Sequence, residues 1–250
     1  MISVQNLTHQ LGQQTILNEL SLSIPKGKVT ALVGANGAGK STLLSLIARL
    51  MKLQKGQILI DNMSVGDTPN DALAKKLSIL PQSIHMEPRL TVRELVSFGR
   101  YPHAKGRMQP GDREKVAEAI KVLDLVDLAD RQLDTLSGGQ RQRAYVAMTY
   151  AQDTDYMLLD EPLNNMDIAA SRALMRVLRD LCAHHGRTIV IVLHDINYAS
   201  AYADNVVALA EGKIDQQGTP LDVVDSAFLQ RIYGTAAKVH ILDDRPFVQV

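Results

Sequence analysis

The stretch GANGAGKS at residues 34–41 decides how this sequence is interpreted. It follows the apolar run Val29–Val33, which predicts a short buried strand, and it precedes apolar residues at helical spacing between Lys40 and Met51. The stretch fits the pattern of a phosphate-binding loop, and a strand before it and a helix after it are the context that this motif requires. We therefore predict a nucleotide-binding loop that opens a parallel α/β unit.

Each part of this loop suits a phosphate chain. Glycines let the backbone curl so that successive N–H groups point toward phosphate oxygens, and the helix N-terminus adds positive potential. Lys40 is expected to reach the β- and γ-phosphates, Ser41 to bind Mg²⁺ through its hydroxyl, and Thr42 to contact the α-phosphate. The predicted phosphate-binding residues are Gly34, Ala35, Asn36, Gly37, Ala38, Gly39, Lys40, Ser41 and Thr42.

A second apolar run, Tyr156–Leu159, ends in two adjacent acidic residues. Asp160 is placed to orient Mg²⁺ through its water shell, and Glu161 is placed to polarise a water for attack on the γ-phosphate. Two acids before Pro162 could instead form a helix N-terminal cluster, but that alternative does not explain the buried strand before them. We predict Glu161 as the catalytic base and Asp160 as an ATP-binding residue and magnesium ligand.

The stretch LSGGQ at residues 136–140 precedes a segment with helical character, 141–152. Ser137 as the helix cap, with Gly138 and Gly139 in the first turn, would expose N–H donors as a second anion site. A chain with one phosphate loop and two phosphate-binding surfaces suggests a homodimer. In that dimer, each Ser137 surface would close over the partner's nucleotide.

These motifs together resemble the ATPases of ABC transporters, and the resemblance covers essentially the whole chain. It implies that Gln82 contacts Mg²⁺ and couples to a permease, that His194 contacts the γ-phosphate, and that Asp167 ends a loop crossing the dimer interface. Outside the phosphate loop, the ATP-binding residues expected in this family are Gln82, Ser137, Gly138, Gly139, Gln140, Asp160, Asp167 and His194. The implied catalytic residues are Lys40, Glu161 and His194, and the implied magnesium ligands are Ser41, Gln82 and Asp160.

The same resemblance implies a single domain over residues 1–250 with the α/β fold of phosphate-loop ATPases. An N-terminal antiparallel β-subdomain, a helical subdomain inserted at about 84–152 and a C-terminal extension at about 220–250 are expected. The residues agree, because Ile84 to Thr135 shows little strand signal and Thr91 has the spacing of a capping box. A terminal hairpin is predicted around Asp243 to Pro246.

Composition argues against several other classes. Lys+Arg and Asp+Glu both total 27, so the chain lacks the basic footprint typical of nucleic-acid binding. The longest apolar run is about six residues, far short of the roughly 20 that span a bilayer. The first residues lack the order of a secretory signal, and one cysteine allows no internal disulfide. Composition alone favours a soluble cytoplasmic chain, and the family resemblance implies that it lies peripherally at the cytoplasmic face of the cell (inner) membrane.

Three short stretches of sequence indicate which class of compound is transported. EPLNN at 161–165, SFGRYP at 97–102 and HDIN at 194–197 resemble the ATPase subunits of ferric siderophore importers. Importers of cobalamin or haem share the architecture and stay as alternatives, as do an exporter subunit and a soluble ABC protein of DNA repair or translation. The resemblance implies ATP and Mg²⁺ as cofactors. It also implies membrane permease subunits as partners and, indirectly, a substrate-binding protein.

One position departs from the family pattern. An aromatic residue usually precedes the first turn and stacks on adenine, whereas Leu11 stands there, before Gly12. Adenine stacking is therefore expected to be weaker, or to come from His9 or from apolar packing.

Overall fold

A computed structural model of the protein describes residues 1–83 and 89–249. The strands in chain order are β1 (Ile2–Leu11), β2 (Gln14–Ile24), β3 (Val29–Val33), β4 (Lys55–Ile60), β5 (Met63–Ser64), β6 (Leu77–Leu80), β7 (Tyr156–Asp160), β8 (Thr188–Val192), β9 (Asn205–Ala210), β10 (Lys213–Gly218), β11 (Lys238–Leu242) and β12 (Arg245–Gln249). The α-helices are α1 (Lys40–Ile47), α2 (Asn70–Lys76), α3 (Val92–Phe98), α4 (Tyr101–Ala104), α5 (Pro110–Val122), α6 (Gly138–Ala151), α7 (Ile168–His185), α8 (Ile196–Tyr202), α9 (Pro220–Val223) and α10 (Ser226–Tyr233). The chain divides into two compact units, Met1–Thr68 with Thr188–Val250, and Pro69–Arg187.

The first unit contains an antiparallel sheet in the order β2-β1-β4-β5. Burial alternates along much of β1 and β2, which is typical of strands with one face on a core. The two strands meet at the turn beside Gly12, whose φ is +60°. This confirms the predicted N-terminal antiparallel β-subdomain. Strands β4 and β5 join it without having been predicted.

The first unit also contains a mainly parallel sheet. Strand β3 pairs in parallel with β8 on one side and with β9 on the other, and β10 pairs antiparallel to β9. Every residue of β3 and of β8 is buried, as expected for strands of a parallel sheet covered on both faces. The carboxyl end of β3 leads directly into the glycine-rich loop, and this confirms the predicted α/β organisation.

Helix α1 is shorter than the predicted helix that reached Met51. It ends at Ile47, because Arg49 adopts a left-handed conformation with φ of 55°. The Arg49 guanidinium donates to the carbonyl of Val65 at 2.9 Å and also to that of Thr68. These bonds hold the chain in a turn after α1. The apolar residues at helical spacing extend past this turn to Met51, and this is why the predicted helix was too long.

The C-terminal part of the first unit ends in the predicted hairpin. Strands β11 and β12 pair antiparallel around Asp243 and Asp244, which both have positive φ. The Asn197 amide of α8 donates to the Val248 carbonyl at 3.0 Å, and its oxygen accepts from the Val248 N–H at 2.8 Å. The hairpin is therefore fixed to α8 by a two-way hydrogen bond.

The second unit is mainly helical, with β6 and β7 paired in parallel. Its described residues from Arg89 to Gln152 form helices and turns, apart from one bridge between Thr91 and Gln132. Thr91 caps α3 in a capping box with Glu94, as predicted. Residues 84–88, where the predicted helical subdomain begins, lie outside the described residues, and its limits stay a prediction.

A buried ion pair supports this helical segment. The Arg100 Nε donates to Asp112 Oδ1 at 3.0 Å, and both residues are less than a tenth exposed. The Arg100 guanidinium also donates to the Ala151 carbonyl at the end of α6, at 2.8 Å. One side chain thus connects the starts of α4 and α5 to the end of α6.

No helix among the described residues is long and apolar enough to cross a bilayer.

Candidate nucleotide-binding and hydrolysis site

The glycine-rich loop joins β3 to α1 with a backbone that requires glycine at two positions. Gly34 has φ of +143°, and a Cβ there would lie 2.2 Å from the carbonyl oxygen of Leu209. Gly39 has φ of +101°, and a Cβ there would lie 2.6 Å from the side chain of Leu17. The loop is therefore shaped by the backbones and side chains packed against it, as well as by its own glycines.

Helix α1 begins directly after the loop and presents its N-terminus there. Gly39 is the N-cap and has no side chain to occupy the first N–H groups, and the first turn holds no acidic residue. Lys40, Ser41 and Thr42 form that first turn. The N–H groups and the helix dipole of this turn suit an anion, so the geometry fits the predicted role in binding phosphates.

The Lys40 side chain folds back on the loop. Its Nζ donates to the carbonyl of Gly34 at 2.8 Å and to that of Ala35 at 2.9 Å, and the residue is only 6% exposed. These contacts hold the positive charge beside the loop backbone. Phosphate oxygens at the loop would compete with these two carbonyls for the same ammonium group.

Asp160 and Glu161 follow the fully buried strand β7, as the sequence predicts. Asp160 is 5% exposed at the end of the strand. Glu161 adopts a left-handed backbone with φ of 52°, a conformation that a residue with a long side chain rarely takes. Such a conformation persists where surrounding contacts hold it.

Two amide side chains hold the Glu161 carboxylate. Its Oε2 accepts from Gln82 Nε2 at 2.7 Å and from Asn164 Nδ2 at 2.7 Å. The structure thus brings together Gln82 and Glu161, which were predicted separately. It adds Asn164, whose role the sequence did not indicate. Hydrogen bonds to a charged acceptor are stronger than neutral ones, so the two amides fix where this carboxylate points.

Ser137 caps helix α6, as predicted. Its Oγ accepts from the Gln140 N–H at 3.3 Å, and the Gln140 side chain accepts from the Ser137 N–H at 3.0 Å. Gly138 lies close to Asn165, because a Cβ there would be 3.0 Å from the Asn165 carbonyl oxygen. The Gln140 N–H is used within the capping box. The role of the Ser137 surface toward a partner's nucleotide stays a prediction.

The two other predicted residues lie at element boundaries. Asp167 is the N-cap of α7, where its Oδ1 accepts from the Ala170 N–H at 2.7 Å. His194 stands exposed just beyond β8, and the next residue, Asp195, caps α8. Asp167 therefore has a local structural role, and both residues keep their predicted functional roles as predictions.

The residues considered for adenine differ in exposure. Leu11 is 49% exposed at the end of β1 and is accessible to a base. His9 is 3% exposed, and neither of its ring nitrogens has a hydrogen-bond partner among the described residues. Because this ring presents no face to solvent, the suggestion that His9 stacks on adenine is not supported by the structure.

Comparisons with known proteins agree along nearly the whole chain. Residues 17–164 match the ABC transporter family. The petrobactin import ATP-binding protein YclP of Bacillus subtilis (strain 168) is 46% identical over 245 residues, which cover 98% of this chain and 97% of that protein. The ferric enterobactin transport ATP-binding protein FepC of Escherichia coli (strain K12) is 41% identical over 242 residues, or 96% and 89% of the two chains. The dimeric structure of MJ0796, a bacterial ABC transporter cassette, is 30% identical, covers 88% of this chain and 98% of its own, and superimposes with a TM-score of 0.78.

A phosphate-binding loop after a parallel strand, together with a carboxylate pair after a second buried strand, defines a nucleotide-hydrolysing α/β protein. The chain belongs to the ABC transporter family, and it is an ATPase of that family.

Proposed function

We propose that this chain hydrolyses ATP to energise the import of a ferric siderophore through a membrane permease. The observation that carries the proposal is the 46% identity with a petrobactin import ATP-binding protein over 98% of the chain. The second relative, which is named for ferric enterobactin transport, matches at 41% over a similar span. The two names concern two different siderophores, so the class of cargo is better supported than any one compound.

The working unit in this proposal is a homodimer with two ATP molecules between the subunits. One subunit contributes the loop from Gly34 to Thr42 and the side chains of Gln82, Asp160, Glu161 and His194. The partner copy contributes the cap of helix α6, with Ser137 and Gly138. Lys40 leaves the loop carbonyls for the phosphates, and Glu161 accepts a proton from the attacking water.

Magnesium fits the donors that this chain offers. Ser41 supplies a hydroxyl, Asp160 a carboxylate, and Gln82 an amide oxygen, since its Nε2 is the atom bonded to Glu161. Mg²⁺ prefers such oxygen donors and usually takes few of them from the protein, beside substrate phosphates and water. When bound, the ion would neutralise charge on the phosphates. These three residues are the ones we propose to hold it.

The permease contact is proposed for the helical segment of the second unit. An apolar cavity of about 510 Å³ opens there, and its lining includes Phe98 and Tyr101. These side chains are 51% and 66% exposed, a high exposure for large aromatic residues. A contact at this surface would place a peripheral ATPase at the cytoplasmic face of the membrane. A substrate-binding protein would deliver the cargo to the other face.

The experiment that tests this proposal is uptake of labelled cargo by cells in which this chain carries Lys40→Ala. The compounds compared are ⁵⁵Fe-labelled petrobactin, ⁵⁵Fe-labelled enterobactin, haem and vitamin B12. We expect uptake of at least one ferric siderophore to be lost, while uptake of haem and vitamin B12 continues. Loss of haem or vitamin B12 uptake alone would contradict the proposed cargo and leave the ATPase in place.

A further inference from the structure

The first glycine of the phosphate loop is bonded to a residue almost two hundred positions away. The Gly34 N–H donates to the hydroxyl oxygen of Tyr233 at 3.1 Å. Tyr233 is the last residue of α10, in the C-terminal part of the first unit and beyond the segment that matches the family. Nothing in the sequence motifs connects this tyrosine to nucleotide binding.

Gly34 is buried, and both its N–H and its carbonyl form hydrogen bonds. Its N–H is bonded to Tyr233, and its carbonyl accepts from the Lys40 ammonium at 2.8 Å. On a third side the carbonyl of Leu209 approaches so closely that it excludes any side chain at Gly34. Two of these three contacts come from residues after position 200. The C-terminal segment therefore helps to define the backbone path at the loop entrance.

Helix α10 is anchored firmly enough to position the hydroxyl. Arg231 forms two hydrogen bonds with Asp215 of β10, at 2.9 and 2.8 Å. Phe228 is fully buried and packs edge-on against the Tyr233 ring, with ring centroids 5.9 Å apart. Gly234 ends the helix in a left-handed conformation. The Tyr233 ring is thus fixed by packing independent of its hydroxyl.

The hydroxyl is suited to a lasting role as acceptor. Burial raises the pKa of Tyr233 above its ordinary value, so the group stays neutral at physiological pH. A neutral hydroxyl accepts the Gly34 N–H with a lone pair and keeps its own proton. No change of charge is needed for the contact to persist throughout an ATPase cycle.

We propose that Tyr233 is a positioning residue for ATP binding, because its hydroxyl holds the Gly34 backbone in the conformation that the phosphate loop needs. This inference rests on the assignment of residues 34–42 to the ATP phosphates. Without the hydroxyl, the Gly34 N–H loses its hydrogen-bond acceptor. The loop of the nucleotide-free protein then relaxes toward another conformation. ATP must then restore the loop as it binds, so its affinity falls.

The test replaces the hydroxyl alone, with Tyr233→Phe, and measures the Kd for mant-ATP by fluorescence. A net hydrogen bond corresponds to roughly a two- to tenfold change in Kd, and we expect an increase of that size. The matched control is Tyr150→Phe in α6. The Tyr150 hydroxyl donates to Glu118 at 3.0 Å, and burial raises its pKa to about 12, so the control also removes a sheltered hydroxyl. It should leave the Kd unchanged.

Nuclear magnetic resonance adds a readout that a general loss of stability would not move. Labelling valine carbonyls with ¹³C and glycine amides with ¹⁵N selects the two Val–Gly pairs, Val33-Gly34 and Val65-Gly66. In Tyr233→Phe the amide proton of Gly34 should shift upfield because it loses an acceptor, while that of Gly66 stays in place. The Tyr150→Phe spectrum should match the parent at both glycines.

Three outcomes would overturn the inference. These are an unchanged Kd in Tyr233→Phe, an equal rise in both tyrosine variants, or a Gly34 resonance that does not move. Lys40→Ala separates this result from the loop assignment. If Lys40→Ala binds mant-ATP as the parent does, the assignment of the loop is wrong. If it binds weakly while Tyr233→Phe binds normally, only the role of Tyr233 is wrong.

Discussion

The phosphate loop of the first unit and the carboxylate site of the second hold their reactive groups in different ways. The loop is shaped by backbone, since Gly34 and Gly39 have positive φ and a Cβ at Gly34 would collide with the Leu209 carbonyl oxygen. The carboxylate of Glu161 is aimed by two amide side chains, from Gln82 and Asn164. A backbone-defined site should fail when a methyl group is added, whereas a site defined by side chains should fail when a donor is removed.

The largest expected effect removes the negative charge from the second site. Glu161→Gln keeps the shape of the side chain but cannot accept a proton, so hydrolysis should fall by roughly 10²- to 10⁴-fold. ATP binding should be retained, and the closed dimer should accumulate in the presence of ATP. Phosphate release, mant-ATP titration and gel filtration measure the three quantities. Hydrolysis at the parent rate would show that Glu161 is not the base.

The next effect adds one methyl group to the first site. In Gly34→Ala the new Cβ would meet the Leu209 carbonyl oxygen at 2.2 Å, and the free energy of unfolding should fall by roughly 1–3 kcal/mol with loss of ATP affinity. Gly37→Ala is the matched control, because its φ is +79° but no atom lies within 4 Å of the added Cβ. It should be the less destabilised of the two in urea denaturation. Equal losses would mean that packing against Leu209 does not shape the loop.

A smaller effect removes one donor from the second site. Asn164→Ala deletes the amide that donates to Glu161 at 2.7 Å, and kcat should fall by about tenfold, the low end of the range for one hydrogen bond to a charged group, because Gln82 still donates to the same oxygen. The KM for ATP should stay near the parent value, because this amide orients the base and need not bind the nucleotide. Asn164→Ser retains a shorter donor and should recover part of the rate. A change in KM alone would show that Asn164 acts in binding.

The smallest expected effect is a loss of thermal stability at low pH that depends on Asp112. The hydrogen bond from the Gln109 N–H, aided by Arg100, lowers the pKa of Asp112, although burial acts in the opposite direction. A lowered pKa in the folded state means that the stabilisation is present above the ordinary value of about 3.9 and is lost as the pH falls below it. The thermal midpoint should therefore drop on acidification through this range. In Asp112→Asn that drop should be shallower. An identical drop would show that titration of Asp112 does not contribute to the loss of stability at low pH.

The sequence predicted the backbone-defined site far better than the one defined by side chains. The glycines at 34, 37 and 39 encode the loop locally, and Ser137 and Thr91 encode helix starts by their own hydrogen bonds. Such features depend on neighbours within a few positions. This is why the loop, the carboxylate strand and both caps could be predicted from local sequence.

The contacts that escaped prediction depend on residues distant in the sequence or on unusual backbone. Asn164 donates to Glu161, whose left-handed backbone is a conformation that its residue type does not favour. Tyr233 meets Gly34 across most of the chain. The overlong prediction for α1 failed for a related reason, since Arg49 is held in a turn by carbonyls from Val65 and Thr68.

Transport into proteoliposomes measures directly whether ATP hydrolysis by this chain drives ferric siderophore import. The complex of this chain with its permease is reconstituted with ATP enclosed, and ⁵⁵Fe-labelled siderophore is offered outside with its binding protein. Accumulation of the labelled siderophore should require enclosed ATP and should be lost with Glu161→Gln. Accumulation that continues without ATP, or that persists in Glu161→Gln, would contradict the proposed function.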